Sequence, residues 1–293
     1  MTTYEQIMEL FPLQSYEQER AQVGYMTLER EYERRELAKG VTYVKRRYLR
    51  GDGKGVNVYL AIVAPDAQAQ LAVSACPLRT IKQVKQHAAD FDGKVLLATN
   101  ASYFHFFNNG DLTPYGIQVM HGVTMAEPGR DKPQYSHFFL GVDRQGRPLI
   151  SDAPTYYSHW KGKLSYAVGG GIKIIQNGEI RLCNNETLAP RTAAGIAQDG
   201  TLILLCADGR SQVSAGLNMA DLIDIYTHLG YEIRDLLNMD GSGSTVVVLP
   251  DEQGGFYVDN VPSGPPTPDM PQVEPYGDTQ ARPVADAMLI IAK

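Results

Sequence analysis

The spacing of apolar and polar positions changes once along the chain, near Gly40. Before it, Glu, Arg, Tyr and Gln dominate, and the run YEQERAQVGYMTLEREYERRELAKG predicts a charged, partly amphipathic helix that Gly40 stops. After it come short Val/Ile/Leu-rich runs separated by Gly, Asp and Asn: VNVYLAIVAP, QLAVSAC, KVLLATN, HFFLGVD, GIKIIQ and TLILLCADG, each of strand length. Helical spacing interrupts them twice. Ile81, Val84 and Ala88 predict a helix from roughly Thr80 to Ala89. Asn218 followed by Asp221 resembles a capping box, Leu222, Tyr226 and Leu229 share a face, and Gly230 supplies the stop, with a strand from Ile233 to Met239 directly after. Residues 251–282 are Pro-rich and predict a long irregular loop between the last two strands, 244–249 and 284–292. The expectation is an α+β fold: a large mixed or antiparallel sheet with a few packed helices, divided into a helical extension over 1–38 and one domain over 39–293.

Composition narrows the function classes. A formal charge of -6 and a pI near 5.5 disfavour a nucleic-acid polymer or an anionic membrane as partner, since both require a basic face to release counterions. The cysteines, Cys76, Cys183 and Cys206, offer neither a disulfide framework nor a zinc spacing, and Cys206 in the run Leu202–Leu205 reads as a buried free thiol. No stretch reaches transmembrane length and MTTYEQIMELF lacks the pattern of a signal peptide, so a cytoplasmic location is expected of the sequence as it stands, or a secreted or lysosomal type if a leader was removed. None of the six histidines shows metal spacing.

Three clusters carry candidate chemistry. In Leu237-Asn238-Met239-Asp240-Gly241-Ser242-Gly243-Ser244-Thr245-Val246 an apolar strand ends in an acid and a Gly/Ser turn, which reads either as an anion-binding nest beside Asp240 or as a plain Asp-Gly hairpin turn. In Pro190-Arg191-Thr192-Ala193-Ala194-Gly195 and Leu205-Cys206-Ala207-Asp208-Gly209-Arg210, a hairpin through Asp199-Gly200 would bring Arg191 and Asp208 to one sheet edge. There Arg191 either clamps a phosphate or forms a salt bridge with Asp208. In Asn100-Ala101-Ser102-Tyr103-Phe104-His105 aromatic faces beside an amide and hydroxyls suit a sugar ring, although Tyr103 and Phe104 also suit a core and His105 a surface.

Taken in order with Asn260-Val261-Pro262-Ser263 and Arg282-Pro283-Val284, these clusters resemble the phosphodiester glycosidase family, from about Gly40 onward. Its pattern runs Asn-x-x-Phe-Phe, Arg-Thr-Ala-x-Gly, Asp-Gly-Arg, a helix, Asn-x-Asp-Gly-Gly-Gly-Ser, Asn-x-Pro-Ser and Arg-x-Val; here Tyr103 replaces a phenylalanine and Ser242 the middle glycine. The resemblance implies hydrolysis at the glycosidic bond of a sugar-1-phosphodiester, of the N-acetylglucosamine-1-phosphodiester kind, giving free sugar and a phosphomonoester without a cofactor. It implies one pocket: Asp240 or Asp208 as base or nucleophile, Arg191 and Arg282 as phosphate clamp, Asn100 on the sugar. Around them it places Thr192, Arg210, Gly241, Ser242, Gly243, Ser244, Asn260, Ser263, Tyr103 and His105 on the substrate, with the Pro-rich loop folded over it. Two rival readings are a metal-dependent phosphodiesterase using Asp208 and Asp240, and a non-catalytic sugar- or phosphate-binding module of phage or cell-envelope origin that self-associates through its N-terminal helix.

Overall fold

A computed structural model of the chain describes residues 16–76, 80–106, 112–128, 133–181, 187–263 and 281–293. Antiparallel sheets dominate, in keeping with an α+β fold. The first sheet has eight strands in the order Thr27–Ala38, Val41–Leu49, Gly55–Val63, Leu202–Ala207, Arg191–Ala197, Ile233–Asn238, Lys173–Gln176 and Glu179–Ile180. The second has five, in the order Phe256–Val258, Val247–Pro250, Val95–Asn100, Asp286–Ala292 and Ala69–Ala75. Leu202–Ala207 and Val95–Asn100 are buried along their whole length, which explains why they read as continuous apolar runs rather than alternating ones. Between the two sheets lies the main core, with Tyr43, Tyr59, Leu204 and Ile196 from the first facing Leu97, Val247 and Leu289 from the second. A second core covers the other face of the first sheet beneath the helix Met219–Thr227, and the described residues also form a third sheet, order Pro148–Asp152, Phe138–Asp143, Leu164–Gly169, Gln118–Met120 and Val123–Ala126, and a two-stranded one, Phe104–Phe106 with Leu112–Pro114.

The 191–197 and 202–207 strands pair as expected, with Arg191 opposite Ala207 and Ile196 opposite Leu202. The 219–227 helix has both arms of its capping box, Asp221 N donating to Asn218 Oδ1 and Asn218 N to Asp221 Oδ2. The first helix is shorter than expected, Val84–Ala89, and its cap is Gln83. A short strand, Phe256–Val258, lies within the Pro-rich segment, of which residues 264–280 are outside the described residues.

The N-terminal expectation is corrected. Among the described residues of this extension only Tyr16–Val23 is helical, whereas Thr27–Ala38 is an edge strand antiparallel to Val41–Leu49; residues 1–15 lie outside the described residues. The same charges that suit a helix face also match residues across a strand: Glu29 pairs with Arg47, Glu31 with Arg46 and Glu33 with Lys45, at 2.8, 2.8 and 3.1 Å. Gly40, at φ +79°, closes this hairpin instead of ending a helix. The row of charges also guards the open edge against pairing with other chains.

Candidate active site

Antiparallel pairing puts the start of the 191–197 strand beside the ends of 202–207 and 233–238. Arg191, Asp208 and Asp240 therefore leave one edge of the first sheet. Asn100 ends the 95–100 strand of the second sheet and joins them across the core. Its Nδ2 donates to the Asp240 carbonyl at 2.6 Å, and its Oδ1 accepts from Thr192 Oγ1 at 2.8 Å and Val246 N at 3.3 Å. Asp240 N donates in turn to Ala101 O at 3.0 Å, and Met239 N to Thr192 O at 2.8 Å. Asn100 and Thr192, both buried, thus tie the two sheets together directly beneath Asp240.

The Asp-Gly-Ser-Gly-Ser turn is neither of the two things its sequence suggests. It closes no hairpin, because the strands on either side, 233–238 and 247–250, lie in different sheets. Nor does it hold out a nest of free N–H groups. Ser242–Ser244 is a 3₁₀ turn in which Ser242 N donates to Pro190 O at 2.8 Å, Ser244 N to Gly241 O at 3.1 Å and Thr245 N to Ser242 O at 3.3 Å. A short turn crossing between sheets must satisfy its own backbone where water is excluded. Gly241 is required by that approach, since a Cβ there would stand 2.7 Å from Pro190 O.

Polar side chains replace the nest. Arg282, four residues before the last strand, reaches Asp240 Oδ2 with Nη2 at 3.4 Å and also bonds the Ser244 hydroxyl, with its Cζ 5.1 Å from the centre of the Phe104 ring. Its Nε is enclosed with no partner among the described residues. Arg191 donates to the carbonyls of Leu217 and Thr187, both at 3.0 Å, and not to Asp208, so the salt bridge of the plainer reading is not formed. Arg210 is exposed, in a loop that Ser211 and Ser214 brace, with left-handed backbone at φ +60°. Burial and the charge of Arg210 lower the proton affinity of Arg191, and burial and the charge of Arg282 do the same to Arg210.

The two acids differ in their surroundings. Burial pushes Asp240 up to about 6, against the opposing pull of Arg282, the Ser244 hydroxyl and Gly241 N–H. Burial also pushes Asp208 to about 6, yet its carboxylate accepts from Tyr59 Oη at 2.9 Å, Asn260 Nδ2 at 3.0 Å and Val261 N at 3.1 Å. Asn260 also accepts from Val247 N at 2.7 Å, so both residues anchor the 259–261 segment to the sheets. Ser263 is half-buried with its hydroxyl enclosed, and Gly243 is buried.

Tyr103 and His105 belong to a row of rings. The Tyr103 and Tyr135 centroids stand 4.6 Å apart, Tyr135 and Tyr115 5.8 Å, and Tyr115 and the exposed His105 6.1 Å. Tyr103 Oη accepts from Asn238 Nδ2 at 2.6 Å, and the charge of Asp240 together with burial keeps this phenol protonated. Tyr115 and Tyr135 were not legible in the sequence because neither sits in a motif. Asp286 and Gln118, which bond to each other, sit in no motif either, although Asp286 is an acid opening the apolar run Asp286–Ala292. Among the described residues no three His, Cys, Asp or Glu side chains group to hold a metal, and no helix is long and apolar enough to cross a membrane.

The family match over residues 93–291 supports a hydrolase of the glycosidase type. More particularly, the chain belongs to the phosphodiester glycosidase family, whose sequence signature matches residues 93–291. Its fold is similar to the catalytic domain of zebrafish N-acetylglucosamine-1-phosphodiester alpha-N-acetylglucosaminidase, solved auto-inhibited by its pro-peptide (TM-score 0.64, 17% identity, 92% of this chain and 88% of that one). It is also similar to a Burkholderia pseudomallei protein whose name marks it as a candidate for export (TM-score 0.55, 14% identity, 82% of this chain and 74% of that one). Among curated proteins, the SPbeta prophage-derived uncharacterized protein YomE of Bacillus subtilis is 31% identical over 100 residues, which is 32% of this chain and 15% of YomE, so the match spans a small part of that relative.

Proposed function

We propose that the protein hydrolyses the glycosidic C–O bond of a sugar-1-phosphodiester of the N-acetylglucosamine-1-phosphodiester kind, releasing free sugar and a phosphomonoester. The observation that carries this reading is the buried carboxylate of Asp240, reached by Arg282 Nη2 at 3.4 Å and seated on Asn100 at the end of the opposing sheet. As the C–O bond breaks, the phosphate goes from one negative charge to nearly two while the anomeric carbon becomes cationic. Guanidiniums beside the phosphate favour that charge more in the transition state than in the ground state, and the leaving group then needs little protonation. Asp240 supplies the carboxylate that acts at the anomeric carbon, directly or through a water, and its raised proton affinity makes it a stronger base than a solvated aspartate. Asn100 and Thr192 hold Asp240 from below, Asp208 and Asn260 brace the neighbouring loop, and Tyr103 offers its ring edge and hydroxyl to the sugar.

Product identity tests the reading. Incubation with an N-acetylglucosamine-1-phosphodiester is expected to give free sugar and a phosphomonoester. A sugar phosphate, lost on chelation, would instead mean P–O cleavage assisted by a metal, and binding without any product would mean a binding module. Asp240→Asn keeps the size and removes the charge, and is expected to lower turnover by about a hundredfold or more. Near-normal turnover in that variant would remove Asp240 from the chemistry.

A further inference from the structure

Asn238 ends the 233–238 strand, two residues before Asp240, and is buried. It lies opposite Ala193, itself two residues inside Arg191, and Met239 N still pairs with Thr192 O at 2.8 Å, so the ladder runs past Asn238 toward the site. Two residues of extended chain cover about 7 Å, a distance that one sugar ring spans. Nδ2 of Asn238 donates to Tyr103 Oη at 2.6 Å, whereas its Oδ1 is enclosed with no partner among the described residues. A buried amide with one end unpaired costs stability, and leucine, of nearly the same shape, would fill the space without an orphaned acceptor. Folding alone therefore gives no reason to keep an asparagine here.

Its bond to Tyr103 gives the reason. Turned over, the amide would take the phenol proton and leave its NH2 enclosed without an acceptor, the costlier orphan. As it stands, Nδ2 occupies a lone pair of Oη, so the phenol proton points elsewhere, and among the described residues none accepts it. Burial, and after it the charge of Asp240, keeps that proton in place. The ring itself is wedged. A Cβ on Gly171 would stand 2.9 Å from Tyr103 Cε2, 3.3 Å from its Oη and 3.1 Å from Asn238 O, and the Tyr135 centroid lies 4.6 Å from that of Tyr103. Gly171 N also donates to Asn238 O at 2.8 Å, which joins the glycine to the same strand end. We infer that Asn238 and Gly171 are positioning residues that aim the Tyr103 hydroxyl, as a hydrogen-bond donor, at an oxygen of the sugar held beside Asp240. This rests on the proposed sugar-1-phosphodiester reading. A neutral donor among aromatic rings suits an uncharged sugar oxygen, whereas the phosphate is met by guanidiniums.

The test is a double-mutant cycle on Asn238 and Tyr103, with the full chain titrated with N-acetylglucosamine and, separately, with inorganic phosphate. Tyr103→Phe is expected to weaken sugar binding about tenfold and Asn238→Leu about threefold to tenfold, the worth of one neutral hydrogen bond. The double variant should bind no worse than Tyr103→Phe alone, because Asn238 acts through the phenol. Phosphate affinity should hold in all three, and Asn238→Leu should melt no lower than the wild type, which an asparagine kept for folding would not allow. Sugar affinity unchanged in Asn238→Leu, losses that add in the double variant, or a parallel loss of phosphate would each overturn the inference. Should leucine fold poorly, Asn238→Ser, polar but too short to reach Oη, takes its place in the cycle with the same expected binding. Free sugar is bound without turnover, so the two readings fail separately. A protein that holds the sugar through this pair, yet releases none from the phosphodiester, would sink the hydrolysis reading and leave this inference standing.

Discussion

At the scale of single residues, the site holds conformations and charges that folding alone would not choose. Asp240 and Asp208 both bind protons more tightly in the folded protein than in the unfolded chain, each titrating near about 6. Their protonated forms therefore stabilise the fold fully below the ordinary carboxylate range, and that stability is lost as pH rises through about 6. Thermal denaturation is expected to show Tm falling by a few degrees between about pH 4 and pH 7, with a shallower fall in Asp240→Asn. A flat profile in the wild type would show that the two acids are solvated. Ser242 sits at φ +61°, where the family pattern has glycine and where a Cβ is strained. Ser242→Gly is expected to gain about 0.5–1 kcal/mol in chemical denaturation.

At the scale of elements, the 191–197 strand and the 219–227 helix are fitted to each other at one glycine. A Cβ on Gly195 would meet Tyr226 Cε1 at 2.4 Å, and the Tyr226 ring has little room to yield because its hydroxyl is seated between the carbonyls of Ala193 and Ile203, at 3.1 and 3.0 Å, sharing its one proton with them. The glycine of the Arg-Thr-Ala-x-Gly motif is thus a packing requirement one helix away from the chemistry. Gly195→Ala is expected to destabilise by about 3 kcal/mol, the upper range for overpacking. Urea unfolding would measure it, and a loss below about 1 kcal/mol would show that the helix shifts freely.

At the scale of the whole molecule, the N-terminal helix reaches the site through charge. Arg20 Nη1 donates to Asp224 Oδ2 at 2.7 Å and lies 3.4 Å from Asp221 Oδ1, Arg50 pairs with Asp221, and Glu19 accepts from Asn218 Nδ2 at 2.9 Å, all of them buried. These contacts clamp the cap of the 219–227 helix, and the residue just before that cap, Leu217, holds Arg191 by its carbonyl. Breaking a buried ion pair from one side strands the other charge, so Arg20→Met is expected to destabilise by about 3–5 kcal/mol. KM for the phosphodiester should rise as well, because Arg191 loses its rigid support. A stability loss with KM unchanged would confine Arg20 to folding.

What the sequence determined by itself were features whose cause is local. The 191–207 hairpin followed from an Asp-Gly turn between two apolar runs, and the capped helix from Asn218 and Asp221, because turn and cap bonds join residues at most a few positions apart. The order of motifs likewise placed the chain among phosphodiester glycosidases. Tertiary structure decided whatever depended on a distant partner. Thr27–Ala38 became a strand because Lys45, Arg46 and Arg47 lie opposite its acids, and the Asp240 turn became a crossing between sheets because Pro190 O and Ala101 O receive its N–H groups. Asn100 and Asp208 found bonding partners from 52 to 149 positions away. Asp286 gained its neighbours from 168 and 184 positions away. Charge and amide patterns are degenerate in sequence, since one acid suits a helix face, a strand pair or a buried site equally well; only the long-range contacts remove that degeneracy.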